Sequence, residues 1–249
     1  MRKLYLIPII HMSADMGSLA SALEAGASGL GQELWQKHKG IVSGFWDSIA
    51  QFFAFMDVKG FRIYQDGLVA NGPDGLRIVR EGINQGSKNY EIIGKLLGRG
   101  AVLEKTEDLV LVKQEYSYIA KIAHSKSPKE KEVWALRYKQ AQNKLLRQRD
   151  DFIAARIAET LEEGETGILF IGAYHDVLSR TPDDIQVSQI KDIAKVREYH
   201  KTLLSLKKPS QRFLQLADYL VSPIPSLLSR TLDIREVSGD ERREKKQWN

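Results

Sequence analysis

Four short apolar runs constrain this chain more than any other feature. KLYLIPII (3–10), FRIYQD (61–66), AVLE (101–104) and GILFIG (167–172) each read as a buried strand, and each ends at or just before polar, ionisable residues. The stretches between them carry helical periodicity. Strands alternating with helices favour a parallel sheet covered by helices over a helix bundle. The expected fold is α/β: a mostly parallel central sheet flanked by helices, with a helical carboxyl-terminal extension.

The helical stretches are legible one by one. A short helix is expected over 16–24, interrupted by GASG at 26–29. ELWQKHKGIVSGFWDSIAQFFAF (33–55) follows, with Trp35, Val42, Phe45, Trp46, Ile49 and Phe53 on its apolar side. Gly40 and Gly44 interrupt that pattern and permit close packing or a bend. Further helices are expected around 76–83, 89–100, 108–124, 129–162, 193–206 and 210–222, and DIQVSQI (184–190) reads as a short extra strand. The organisation expected is a core over 1–180, a helical extension over 181–240 packed on it, and a frayed tail over 241–249.

Composition narrows the class. The 249 residues are 43% hydrophobic and 28% charged, enough material for the core of one large α/β domain. The absence of cysteine excludes disulfides, thiolate nucleophiles and sulfur-bound zinc, and leaves metals held by His, Asp and Glu open. MRK is followed by only about seven apolar residues, broken by Pro8, which is not a secretory signal. No apolar run approaches the roughly 18 residues of a membrane span, so a cytoplasmic protein is expected. The net charge of +5 gathers in KSPKEKE, KLLRQRD, SLKKPSQR and ERREKKQW, mostly among acidic residues. A nucleic-acid partner would require those cations to form one patch. Neither GxGxxG nor GxxxxGK[ST] occurs, so a nucleotide fold has no support.

In parallel sheets, ligand crevices lie beyond the carboxyl ends of the strands. The runs deliver His11 and Asp15 there, then Tyr64 and Asp66, then Glu104, Glu107 and Asp108, and finally Tyr174, His175 and Asp176. Arg149 joins them by geometry. The helix from 149 to 161 covers about 18 Å and the strand from 167 to 173 about 20 Å, so the strand end returns beside Arg149. The candidate catalytic residues are therefore His11, Glu104, Glu107, Arg149 and His175. Tyr64, Asp66, Lys88, Tyr174 and Asp176 are candidates for holding substrate, Lys88 because GSKN (86–89) reads as a phosphate-facing turn. A divalent metal would draw on His11, Asp15, Glu104 and His175. Simpler roles compete: Asp15 as a helix cap, Asp108 or Thr106 likewise, and Arg149 as a bridge to Asp150. His38, His124 and His200 read as structural or solvent-facing.

RDDFIAARIAETLEEGETGILFIGAYH (149–175) resembles the carboxyl-terminal half of the group formed by the erythromycin esterases, the haem-uptake ChaN proteins and the TraB/Tiki proteins. The resemblance extends over about residues 3–178 and is sharpest over 147–176. It implies an α/β fold and hydrolysis, with His11, Glu104, Glu107, Arg149 and His175 at the group's corresponding places. In that chemistry His11 or His175 deprotonates water, Glu104 or Glu107 orients the histidine or is itself the base, and Arg149 holds a carboxylate, a phosphate or a developing oxyanion. Alternatively the same atoms bind a divalent ion that generates hydroxide. The expectation is a hydrolase of a small polar or anionic substrate. Its rival is a non-enzymatic ligand- or nucleic-acid-binding protein using Arg149, Lys88 and the carboxyl-terminal cations. Assembly as a homo-oligomer stays open.

Overall fold

The computed structural model describes residues 1–10, 32–205 and 210–225. The strands are β1 (Arg2–Ile9), β2 (Arg62–Gln65), β3 (Val102–Glu104), β4 (Thr166–Gly172) and β5 (Ile185–Gln189). The helices are α1 (Gln32–Ala54), α2 (Gly72–Asn84), α3 (Lys88–Gly98), α4 (Leu109–Ala123), α5 (Pro128–Thr160), α6 (Ile193–Ser205) and α7 (Gln211–Val221). All strand pairs are parallel, in the order β3-β2-β4-β1-β5. The expected short helix over 16–24 and its GASG interruption lie outside the described residues.

Two-residue alternation along the central strands builds two cores. Tyr5, Ile7, Ile9, Ile168 and Phe170 face one layer, which α1, α2, α3, α6 and α7 cover. Leu4, Leu6, Leu169 and Ile171 face the other, where Ile153, Ala154 and Ile157 of α5 close over them. With both faces buried, β1 and β4 read as unbroken apolar runs rather than as alternating ones. The sheet also continues past residue 180, where a short extra strand was expected at the start of the helical extension. DIQVSQI supplies the edge strand β5, with Leu4 opposite Val187.

Helix α1 fits against α7 because residue 44 has no side chain. A Cβ there would lie 2.8 Å from Cγ1 of Val221, so Gly44 serves close approach, whereas no described residue outside α1 comes within 4 Å of a Cβ at Gly40. His38, on the buried side of α1, places Nδ1 2.8 Å from the Tyr199 hydroxyl. Burial pushes its pKa down to about 4, so it is a neutral core residue at ordinary pH.

The longest element is α5. Ser127 caps it by accepting the Glu130 N–H, and Pro128 occupies the first turn, where its missing N–H costs nothing. Its 33 residues span about 50 Å, yet its buried residues begin only at Leu145. The amino-terminal half instead pairs with α4, and the two form a helical hairpin. The carboxyl-terminal half lies against the sheet and carries Arg149 and Asp150 to the strand ends.

This layering yields a stability contrast. Phe170 is fully buried between β4 and the larger layer, whereas Phe55 is 99% exposed. Urea unfolding of Phe170→Ala is expected to show a loss of about 3–5 kcal/mol, and Phe55→Ala a change within about 0.5 kcal/mol.

Candidate functional site

Three loops and two helices meet at the carboxyl edge of the sheet. Asp66 follows β2 directly, Glu107 stands three residues beyond β3, and His175 stands three residues beyond β4. Arg149 and Asp150 come from the first buried turns of α5, and Glu115 comes from α4.

Arg149 is the hub. One Nη donates to Asp66 Oδ1 at 2.6 Å and to Glu107 Oε1 at 2.5 Å, and Nε donates to Glu107 Oε1 at 3.1 Å. The other Nη bonds Glu115 Oε2, and the Tyr138 hydroxyl donates to the remaining Glu115 oxygen at 2.7 Å. Burial alone would lower the arginine's pKa. The carboxylates of Asp66, Glu107 and Glu115 outweigh it and raise the value, so the guanidinium is permanently charged.

His175 forms the second half. Its Nδ1 lies 2.6 Å from Asp150 Oδ1, while Asp150 Oδ2 accepts the Asp176 N–H at 3.1 Å. A carboxylate can only accept, so Nδ1 carries the proton, and Nε2 is the atom free to exchange one. Nε2 faces Asp66 Oδ2 at 3.5 Å. That Asp66 oxygen also accepts the Gly172 N–H at 2.9 Å, which ties the β2 loop to the end of β4. On the far side of the turn, Arg197 of α6 donates to the carbonyls of Ala173 and His175. Burial pulls the His175 pKa down, but Asp66 and the Asp150 hydrogen bond more than compensate, and it stands above its ordinary value. For Glu107 burial is the largest effect and Asp66 adds to it, so its pKa is pushed up to about 7 despite the hydrogen bond from Arg149.

The sequence-derived candidates divide accordingly. Glu107, Arg149, His175 and Asp66 come together around Arg149. His11 and Asp15 lie outside the described residues. Glu104 does not join its fellow candidates. It is still within β3, on the pleat that faces the carboxyl-terminal end of α5, and there it pairs with Arg62 at 2.6 Å. Arg62 in turn pairs with Glu165 at 3.0 Å. The chain has to run three residues past the strand before a side chain reaches Arg149. Tyr64, on the same pleat, is fully buried with its hydroxyl 2.8 Å from Thr160 Oγ1. Lys88 is occupied by Asp47 at 2.7 Å and by Ser43, and Ser87 caps α3, so GSKN is a helix start. Tyr174 is half-exposed and stacks on His200, and the Asp176 carboxylate is held by Ser179 and Arg180. Asp108 takes its expected capping role on α4.

Asp150 and Glu115 were not among the candidates, although both carried a signal. Asp150 precedes Ile153, Ala154 and Ile157 by three, four and seven residues, so it shares their buried stripe. Glu115 stands four residues before Ile119 on the side of α4 that faces α5.

Ligand atoms of Asp66, Glu107 and His175 lie within 4.8 Å of one another, two oxygens and an imidazole nitrogen. This donor set suits a divalent cation, and the Asp150–His175 hydrogen bond is the kind of support that orients a metal-bound histidine. No family model, curated protein or solved structure matches the chain.

Glu107 generates a signed pH effect. Its folded value of about 7 lies above the ordinary 4.5, so the folded state holds the proton more tightly than the unfolded state. Wild-type stability should therefore decline, through this group, as pH rises from 4.5 to 7. Urea titrations at several pH values should find that decline missing in Glu107→Gln.

Proposed function

We propose that the chain is a hydrolase of a small polar or anionic substrate, working in the cytoplasm through water activated between His175 and Glu107. One observation carries this reading: a histidine fixed in one tautomer by Asp150 turns its other nitrogen toward two carboxylates at the carboxyl ends of a parallel sheet. The resemblance of residues 149–175 to the erythromycin-esterase, ChaN and TraB/Tiki group supports the same reaction class.

In this mechanism Asp150 is a positioning residue. It holds the His175 ring through Nδ1 and the following backbone through the Asp176 N–H. Nε2 takes a proton from water, and the imidazolium that forms faces Asp66, whose charge stabilises it. Glu107 can share that duty, because burial has brought its pKa to about 7. Arg149 bridges Asp66 and Glu107 and orients both, and offers its charge to an oxyanion.

Charge favours a metal-assisted version. Asp66, Glu107, Glu115 and Asp150 confront one guanidinium and one imidazole, an excess of negative charge that an anionic substrate would only increase. Asp66, Glu107 and His175 would hold a divalent cation, which supplies charge neutralisation and acidifies bound water. The competing reading is a ligand-binding protein without turnover.

The test is turnover of an ester, amide and phosphoester library by the whole chain, before and after chelation and with Mn²⁺, Zn²⁺ or Mg²⁺ restored. With circular dichroism showing an intact fold, His175→Ala should lose about 10²–10⁴-fold of the wild-type rate. Wild-type kcat/KM should rise with pH as His175 loses its proton and as Glu107 ionises near about 7, and Glu107→Gln should lose the Glu107 part of that rise while keeping the His175 part. Equal rates in wild type and His175→Ala would remove His175 from the reaction. No turnover of any library member would favour the binding reading.

A further inference from the structure

The helical hairpin of α4 and α5 contributes nothing to the reaction centre beyond its base, where Glu115 meets Arg149. Residues 113–148 hold nine lysines and arginines against three glutamates, Glu115, Glu130 and Glu132, so this segment carries more than the whole net charge of +5. No residue of α4 is buried, and none of α5 before Leu145.

The cations are ordered. Lys129, Arg137, Lys144 and Arg147 recur at helical spacing on one side of α5, all exposed, along about 27 Å of axis. Trp134 and Tyr138 turn toward α4, where Lys121 lies 4.3 Å from the Trp134 ring centre and Tyr118 lies 5.9 Å from Tyr138. Arg149, Ile153 and Ile157 turn toward the sheet. The stripe therefore occupies the side away from both neighbours, with the Arg137 guanidinium lying 4.8 Å from the centre of the Trp134 ring at its edge. Glu130 and Glu132 project from its flanks, and the Glu130 carboxylate accepts the Lys126 N–H. Among the described residues, none of the four cations has an acidic partner. Elsewhere Arg2, Arg62, Arg149, Arg156, Arg180 and Arg212 are all in ion pairs.

We propose that the outer face of α5, from Lys129 to Arg147, docks on the phosphate backbone of a nucleic acid. A row of unneutralised cations about 27 Å long is complementary to a polymer that carries phosphates at regular intervals and would release counterions on contact. An anionic membrane fits less well. An interfacial helix needs a broad apolar face to bury, and this stripe offers only Val133 and Leu136 between its charges. The proposal is independent of the hydrolase reading, because a protein without turnover would present the same face.

The test uses the full chain and a fluorescein-labelled 24-base-pair DNA duplex, read by anisotropy, with phosphatidylserine vesicles assayed in parallel by sedimentation. Four phosphate contacts predict an affinity that falls about a hundredfold between 50 and 200 mM salt. The variant Lys129→Gln/Arg137→Gln/Lys144→Gln/Arg147→Gln should keep its thermal melt and bind at least about tenfold more weakly at 50 mM salt, with a salt slope flatter by about three to four. A control, Lys59→Gln/Arg80→Gln/Lys95→Gln/Lys201→Gln, removes as many exposed cations away from the hairpin and should bind like wild type. No duplex binding at 50 mM salt would overturn the proposal. Equal losses in the two variants would also overturn it, as would sedimentation with vesicles in place of duplex binding.

Discussion

A single guanidinium binds the functional end of this molecule into one unit. Arg149 bonds Asp66 beyond β2, Glu107 beyond β3 and Glu115 on α4, while its neighbour Asp150 holds His175 beyond β4. Each acidic group arrives on a different segment and each is buried or nearly so. Without the arginine their mutual repulsion would open the strand ends. Without the carboxylates a buried guanidinium would have nothing to meet its charge or its donors. The interaction is specific as well as strong, because the planar fork fixes where each oxygen sits.

That dependence explains why the fold was more legible than the site. Both faces of β1 and β4 are covered, so these strands announce themselves as unbroken apolar runs, and α5 announces itself by a regular period. Arg149 was found by arithmetic on those elements: a helix and a strand of similar length joined by a short turn bring 149 back to 175. Glu104 was misplaced because a strand's last residue still belongs to its pleat, and Glu104 there turns to Arg62. Sequence order places both Glu104 and Glu107 near a strand end. Only the end of the hydrogen-bonded register, at Tyr64 opposite Glu104, separates a wall residue from a site residue.

Asp150 was obscured for a different reason. A charged residue beside Arg149 reads naturally as its salt-bridge partner, and the helical stripe assigns it instead to the interior. There the ring of His175 is its partner and Arg149 takes three other carboxylates. Adjacent residues on a helix point about 100° apart, so neighbours of opposite charge commonly serve different partners. In a buried setting that angular separation outweighs proximity in sequence. The same reasoning displaced Lys88, which the turn-like sequence GSKN offered as a phosphate ligand. Helix α3 starts at that residue and directs the ammonium to Asp47 of α1.

The two halves of α5 show how one helix divides its labour. From Leu145 onward its apolar stripe closes the smaller core, and Arg149 and Asp150 are matched by partners just beyond β2, β3 and β4 and by Glu115 of α4. Before Leu145 the helix packs on α4, its aromatic residues fill that seam, and among the described residues its remaining side is cationic and bare of acidic partners. Helical periodicity is continuous across the junction, so local propensity cannot be what distinguishes the halves. The difference lies in what each faces. A charge inside the core has to be matched within the chain, because burial makes an unpaired one too costly. On a solvent face water performs that service, and the cations are left available to a partner from outside.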